Sequence, residues 1–170
     1  MTQDSGDKFV HAYNRMLERI KAAIEHAEKD TLPILQHALE TAKKNAVELG
    51  ELTREEAEKI GTYLKRDLQD AIDHAKTTGK ELSEWLRFDI ELIEQRALDM
   101  FSLIVDRAKQ ELDKLGLHAK NHAELWHSGE IAGVGTLYCT TCGTPQYFSA
   151  TAIIPPCTKC KATTFQRVPV

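Results

Sequence analysis

Apolar side chains enter this chain at helical spacing. Phe9, Tyr13, Met16, Ile20, Ala23 and Ala27 follow one another at steps of three and four residues, which lines one face of an α-helix. The pattern predicts a first helix from about Asp7 to Lys29. Leu35, Leu39, Ala42, Ala46 and Leu49 repeat it behind the N-cap types Asp30 and Thr31, with Pro33 tolerable only in the opening turn and Gly50 as the stop. Thr53 and Glu56 then stand at the spacing of a capping box, in which hydroxyl and carboxylate each satisfy an orphan backbone N–H. Ala57, Ile60, Leu64, Leu68, Ala71 and Ala75 carry the third seam. Glu25 with Lys29, Glu40 with Lys44 and Glu55 with Lys59 are placed as exposed i,i+4 pairs.

The seam stays in register across Gly79 through Leu82, Leu86, Ile93, Ala97, Met100 and Ile104. Residues 53–115 are therefore expected as one helix of about 90 Å or as two segments, ending at Gly116. Trp85, Phe88, Ile90, Leu92, Leu98, Phe101 and Val105 widen the stripe beyond a two-stranded coiled-coil seam. A second neighbour is needed, either the first helix or another subunit, so homo-oligomerisation is an expectation. The tight turn at Gly50 to Leu52 makes its flanking helices antiparallel, giving a long helical hairpin or a four-helix bundle over residues 1–116.

Beyond residue 138 the punctuation changes. All four cysteines and Pro145, Pro155, Pro156 and Pro169 lie there, against Pro33 alone before it. Cys139-Thr-Thr-Cys142 and Cys157-Thr-Lys-Cys160 form a C-x2-C-x14-C-x2-C array, close to the spacing of structural zinc sites. Each C-x2-C turns backbone amides toward its thiolates, and two such knuckles supply the four sulfurs of a tetrahedral Zn²⁺. Gly143 follows the first knuckle, where a turn needs positive φ. Gly135 to Tyr138, Gln146 to Ser149 and Thr163 to Val168 alternate or are β-rich, fitting three short antiparallel strands. The mainly α chain is thus expected to close with a small three-stranded zinc ribbon over 131–170, after a connector over 117–130. Such a ribbon has too few apolar groups to fold without one structural zinc. The helices bury their own seam, so they are expected to survive the ribbon's unfolding.

Charge refines the picture. All 26 Asp and Glu precede residue 131, whereas the tail carries only Lys159, Lys161 and Arg167. Three cations are too few for a nucleic-acid stripe, though Lys159 and Lys161 are placed to offset a tetrathiolate site. No apolar run approaches the roughly 20 residues of a spanning helix, and Met1 to Ile20 shows no apolar core of secretory length. A cytoplasmic location is expected, where paired disulfides are disfavoured. His118, His122 and His127 cluster before the tail without a carboxylate or cysteine to complete a metal set. Only Glu124 to His127 matches the Glu-x-x-His element that a di-iron bundle needs twice.

At Trp126-His127-Ser128-Gly129-Glu130, then Gly133, Gly135, Leu137, the two knuckles and Phe165-Gln166-Arg167, the chain resembles a bacterial zinc ribbon-containing family of unknown function, the YbeL-like family. The resemblance extends to Gly50-Glu51-Leu52-Thr53-Arg54 and Arg66-Asp67-Leu68. Thr158 and Lys161 depart from it, standing where such ribbons often have Pro and Gly. The family implies a helical N-terminal region and a bound zinc, and supplies no activity.

Four cysteine ligands leave zinc no open position, and no phosphate loop, nucleophile elbow or framed pair of acids appears. The expected function is therefore non-catalytic: an adaptor or regulatory protein whose helical arm and ribbon each present a surface to a protein partner. The alternative is a transcription-associated factor contacting RNA polymerase or nucleic acid through the ribbon and through Glu48, Glu51, Glu55 and Glu56 at the hairpin tip, a fold-level analogy. Glu130 and His127 are placed to hydrogen-bond across the junction between the two parts.

Overall fold

A computed structural model describes residues 2–26, 34–78, 99–100, 102–107 and 125–167. Helix α1 spans Thr2–His26, α2 Ile34–Glu48 and α3 Arg54–Thr78, and residues 99–100 and 102–107 are also helical. Helix α1 starts at Thr2, five residues before the Asp7 at which its apolar pattern places the beginning. Tyr13, Met16, Leu17, Ile20 and Ile24 of α1, Leu39, Ala42 and Ala46 of α2, and Ala57, Ile60, Leu64 and Leu68 of α3 are buried in one cluster with Met100, Ile104 and Val105. The continuity of 53–115 turns on residues 79–98, which lie outside the described residues, as do the side chains of Trp85, Leu92 and Phe101.

The turn between α2 and α3 follows its sequence closely. The N–H groups of Glu51 and Leu52 both donate to the Ala46 carbonyl, and that of Gly50 to Val47, so the last carbonyls of α2 are satisfied by the reversing chain. The capping box forms as expected: Glu56 N donates to Thr53 Oγ1 at 3.2 Å and Thr53 N to Glu56 Oε2 at 2.9 Å. One seam assignment fails here. Leu49 is 66% exposed, since it falls where the helix has already ended, and Leu52 tucks under the turn in its place. The surface pairs also rearrange: Lys43 bridges Glu40 and Glu58, and Lys44 reaches Glu48.

The C-terminal part has β1 Trp126–His127, β2 Ile131–Ala132, β3 Gly135–Cys139, β4 Pro145–Phe148, β5 Ala152–Ile153 and β6 Thr164–Gln166. They form an antiparallel four-stranded sheet in the order β1-β6-β3-β4 and a β2-β5 pair. The three expected strands correspond to β3, β4 and β6. The fourth, β1, pairs Trp126 with Phe165 and His127 with Thr164, so the sheet begins inside the segment expected as a connector. Two residues are too short to show a period of two, which is why this strand had no sequence signal.

The ribbon packs directly on the helices. Both residues of β2 are buried, but Ile131 joins the helical cluster while Ala132 joins the cluster containing Cys139, Cys157, Phe165 and Trp126. Val134 also enters the helical core. A Cβ on Gly6 of α1 would meet Ile153 Cδ1 at 2.6 Å, so the start of α1 lies against the Ile153 side chain of β5, whose tip would have to swing aside for any larger residue.

Candidate metal centre

Each knuckle is a tight reversal built by its own backbone. In the first, Gly143 N donates to the Cys139 carbonyl at 2.9 Å and Cys139 N to the Thr144 carbonyl at 3.0 Å. In the second, Lys161 N donates to Cys157 O at 3.0 Å and Cys157 N to Ala162 O at 2.9 Å. The two turns match bond for bond. Their last positions take the same left-handed conformation, φ 70° at Gly143 and φ 64° at Lys161. Replacing Gly by Lys therefore preserves the second knuckle, at the steric cost of a Cβ in that region.

The matched turns bring the four sulfurs together. The Sγ atoms of Cys139, Cys142, Cys157 and Cys160 all lie within 4.8 Å of one another, with Cys139 to Cys160 at 3.5 Å and Cys142 to Cys157 at 3.6 Å. All four are free thiols. Sulfurs at the roughly 2.3 Å bond length of zinc form a tetrahedron with edges of about 3.8 Å, so the donor set fits that ion. Cys139 and Cys157 are buried, whereas Cys160 is exposed.

Electrostatics point the same way. The side chain and backbone amide of Thr144 draw Cys142 down to about 6, and the amides of Cys160 and Lys159 lower Cys157 against desolvation. Cys160 receives the Ala162 amide, yet desolvation and the sulfurs of Cys142, Cys139 and Cys157 push it up to about 12. Backbone dipoles favour thiolates here and mutual repulsion opposes them, a conflict that a bound cation removes.

A family model for a zinc-ribbon containing domain matches residues 22–169. The chain belongs to that family. It is also similar to "Uncharacterized protein YbeL" of Escherichia coli strain K12, 26% identical over 165 residues that cover 96% of this chain and 98% of the relative. The proteins of the same name from strains O6:H1 and O157:H7 match with the same identity and coverage. No solved structure matches the chain. The family match takes in the last turn of α1, both following helices and all six strands.

A second constellation joins the ribbon to the helices. Asp67 of α3 is fully buried. It accepts from Tyr13 Oη at 2.6 Å, Trp126 Nε1 at 2.8 Å, Gly133 N at 2.9 Å and Arg167 at 3.3 Å. Its neighbour Arg66 pairs with Glu130 and donates to the Ile131 carbonyl, and the Arg66 and Arg167 guanidinium groups lie 4.9 and 5.2 Å from the Trp126 ring centroid. The indole ring attracts both cations. Sequence reasoning noticed Arg66-Asp67 and Trp126 without assigning them a place. The available signal was a carboxylate three residues after Leu64 and seven after Ile60, on the apolar face of α3.

Other sequence candidates are dispersed or already engaged. His118 and His122 lie outside the described residues. His127 is exposed on β1, its backbone N–H donating to Glu130 Oε2 at 3.0 Å and its Nδ1 3.7 Å from Glu130 Oε1, so the expected junction contact is made mainly by backbone. At the α2–α3 turn, Glu51 receives two hydrogen bonds from Arg19 at 2.7 and 2.8 Å, and Arg15 lies 3.6 Å away. The Arg19 hydrogen bonds hold the Glu51 carboxyl below its usual range. Glu56 is likewise lowered, by the Thr53 backbone amide and then by Lys8. Two of the four glutamates assigned to a partner surface thus bind α1 of the same chain.

Proposed function

We propose that this chain is a non-catalytic zinc protein of the cell interior, in which one Zn²⁺ held by Cys139, Cys142, Cys157 and Cys160 staples the ribbon, and the helical part serves as an adaptor or regulatory surface for a protein partner. The observation that carries the metal reading is the convergence of four free sulfurs on two hydrogen-bonded turns of identical pattern. Four protein thiolates complete a tetrahedral zinc shell and leave no position for a reacting water, which supports a structural role. Free thiols this close together suit a reducing compartment, and no helix among the described residues is long and apolar enough to cross a membrane.

The core that α1, α2 and α3 share with Met100, Ile104 and Val105 supports a bundle over an extended hairpin. The polymerase-binding alternative is weakened, because Glu51 and Glu56 are bonded to Arg19 and Lys8. Elemental analysis of protein purified without added metal should find one zinc per chain. Zinc near zero, or a native disulfide among these cysteines, would overturn the reading. Copurification from native extract followed by mass spectrometry addresses the partner.

A further inference from the structure

The groups that fasten the ribbon to the helices are the same groups, or immediate neighbours of the groups, that surround the cysteines. Trp126 packs in the cluster of Cys139, Cys157 and Phe165, and its indole N–H crosses to Asp67 of α3. Phe165 pairs with Cys139 across the sheet, and two residues on, Arg167 donates to Asp67 and to the Val134 carbonyl. Ala132 faces the cysteine cluster between Ile131 and Val134, which face the helical core. On the far side, the Thr151 hydroxyl meets Asn14 Oδ1 of α1 at 2.7 Å.

We infer that metal occupancy of the ribbon controls the order of α1 and α3, so that the helical surface exists in full only when the cysteine centre is loaded. This rests on the zinc reading above. The physical chain is short. Once the sulfurs no longer converge, a ribbon with this small a core lacks the apolar burial to hold itself together. Trp126, Arg167 and the Gly133 amide then leave Asp67, while Ile131 and Val134 withdraw from the core they share with Leu64 and Leu68. The helices lose part of their apolar cover and three of the four donors that satisfy their buried carboxylate. The ribbon is therefore a metal-dependent clamp, and the expectation that the helices stand independently of it is replaced by coupling.

The test uses the full chain as purified, with zinc content measured first. Thermal unfolding is followed by far-UV circular dichroism, which reports the helices, and amide exchange is followed over residues 12–20 and 60–68. Stripping zinc with a chelator under reducing conditions should lower the helical midpoint by about 10 °C, accelerate exchange in both stretches, and be reversed by adding zinc back. Trp126→Phe, which removes one donor to Asp67 and leaves every sulfur, should lower the helical midpoint with zinc content unchanged. Protein that carries one zinc but whose helical midpoint and exchange are unmoved by its removal overturns the coupling alone. Protein that never binds zinc overturns the metal reading, and the coupling with it.

Discussion

Asp67→Asn is the sharpest single perturbation of this molecule, because it changes one atom and a charge where four donors converge. The carboxylate is fully buried, and the side chain of its partner Arg167 is only 3% exposed. One oxygen serves Trp126 and Arg167, the other Tyr13 and Gly133. An amide can present its oxygen to only one pair. Turned toward Trp126 and Arg167, it sets its NH₂ against the Gly133 N–H, which cannot adapt, and against the Tyr13 hydroxyl, which can rotate to accept. Turned the other way, it confronts the indole and guanidinium donors with a third donor. The first orientation is the less costly, yet it leaves a buried amide unsatisfied, worth about 1–3 kcal/mol, and removes the nearer of the two anions beside a buried guanidinium, leaving Asp70 4.0 Å from Arg167 Nε. Breaking a buried pair costs about 3–5 kcal/mol, so a total near 4 kcal/mol is expected, roughly 8–16 °C in Tm for a chain of this size. Urea denaturation at neutral pH, comparing midpoints at unchanged slope, measures it. A variant within about 1 kcal/mol of wild type would refute the claim that this carboxylate joins the two parts.

Two further outcomes follow from particular geometries. Lys161→Gly should stabilise the ribbon by about 1 kcal/mol, because φ 64° costs a side chain what it does not cost Gly; a lower denaturation midpoint in the zinc-loaded protein would contradict this account of the second knuckle. Burial, then the nearby Asp67 carboxylate, pushes the Tyr13 hydroxyl well above its ordinary value, so the folded state keeps a proton that the unfolded chain releases near pH 10. Stability from this group is complete below that pH and should fall above it by about 1.4 kcal/mol per pH unit, and Tyr13→Phe should show a shallower alkaline decline; an identical decline would show that Tyr13 ionises freely in the fold.

What the sequence determined by itself is local. The Thr53–Glu56 cap, the reversal at Gly50 and both cysteine turns join residues no more than a few positions apart, and their geometry depends on backbone stereochemistry that any tertiary surroundings must accept. Helical seams were legible for the same reason, since a period of three to four residues declares which face is buried, and among the described residues the seam failed only at Leu49, where the helix had stopped. The convergence of the two knuckles was readable because thiolates so spaced have a shared purpose in a metal ion. Tertiary structure decided the rest. Asp67 meets Trp126 across 59 residues and Arg167 across 100, Arg19 reaches Glu51 across 32, and nothing local to any of them selects its partner. β1 becomes a strand only because β6 offers it an edge, and Ile131 divides from Ala132 only because two cores lie on opposite sides of one strand. A polar side chain on an apolar face states that a partner is required; which partner arrives is settled by the packing that brings distant segments together.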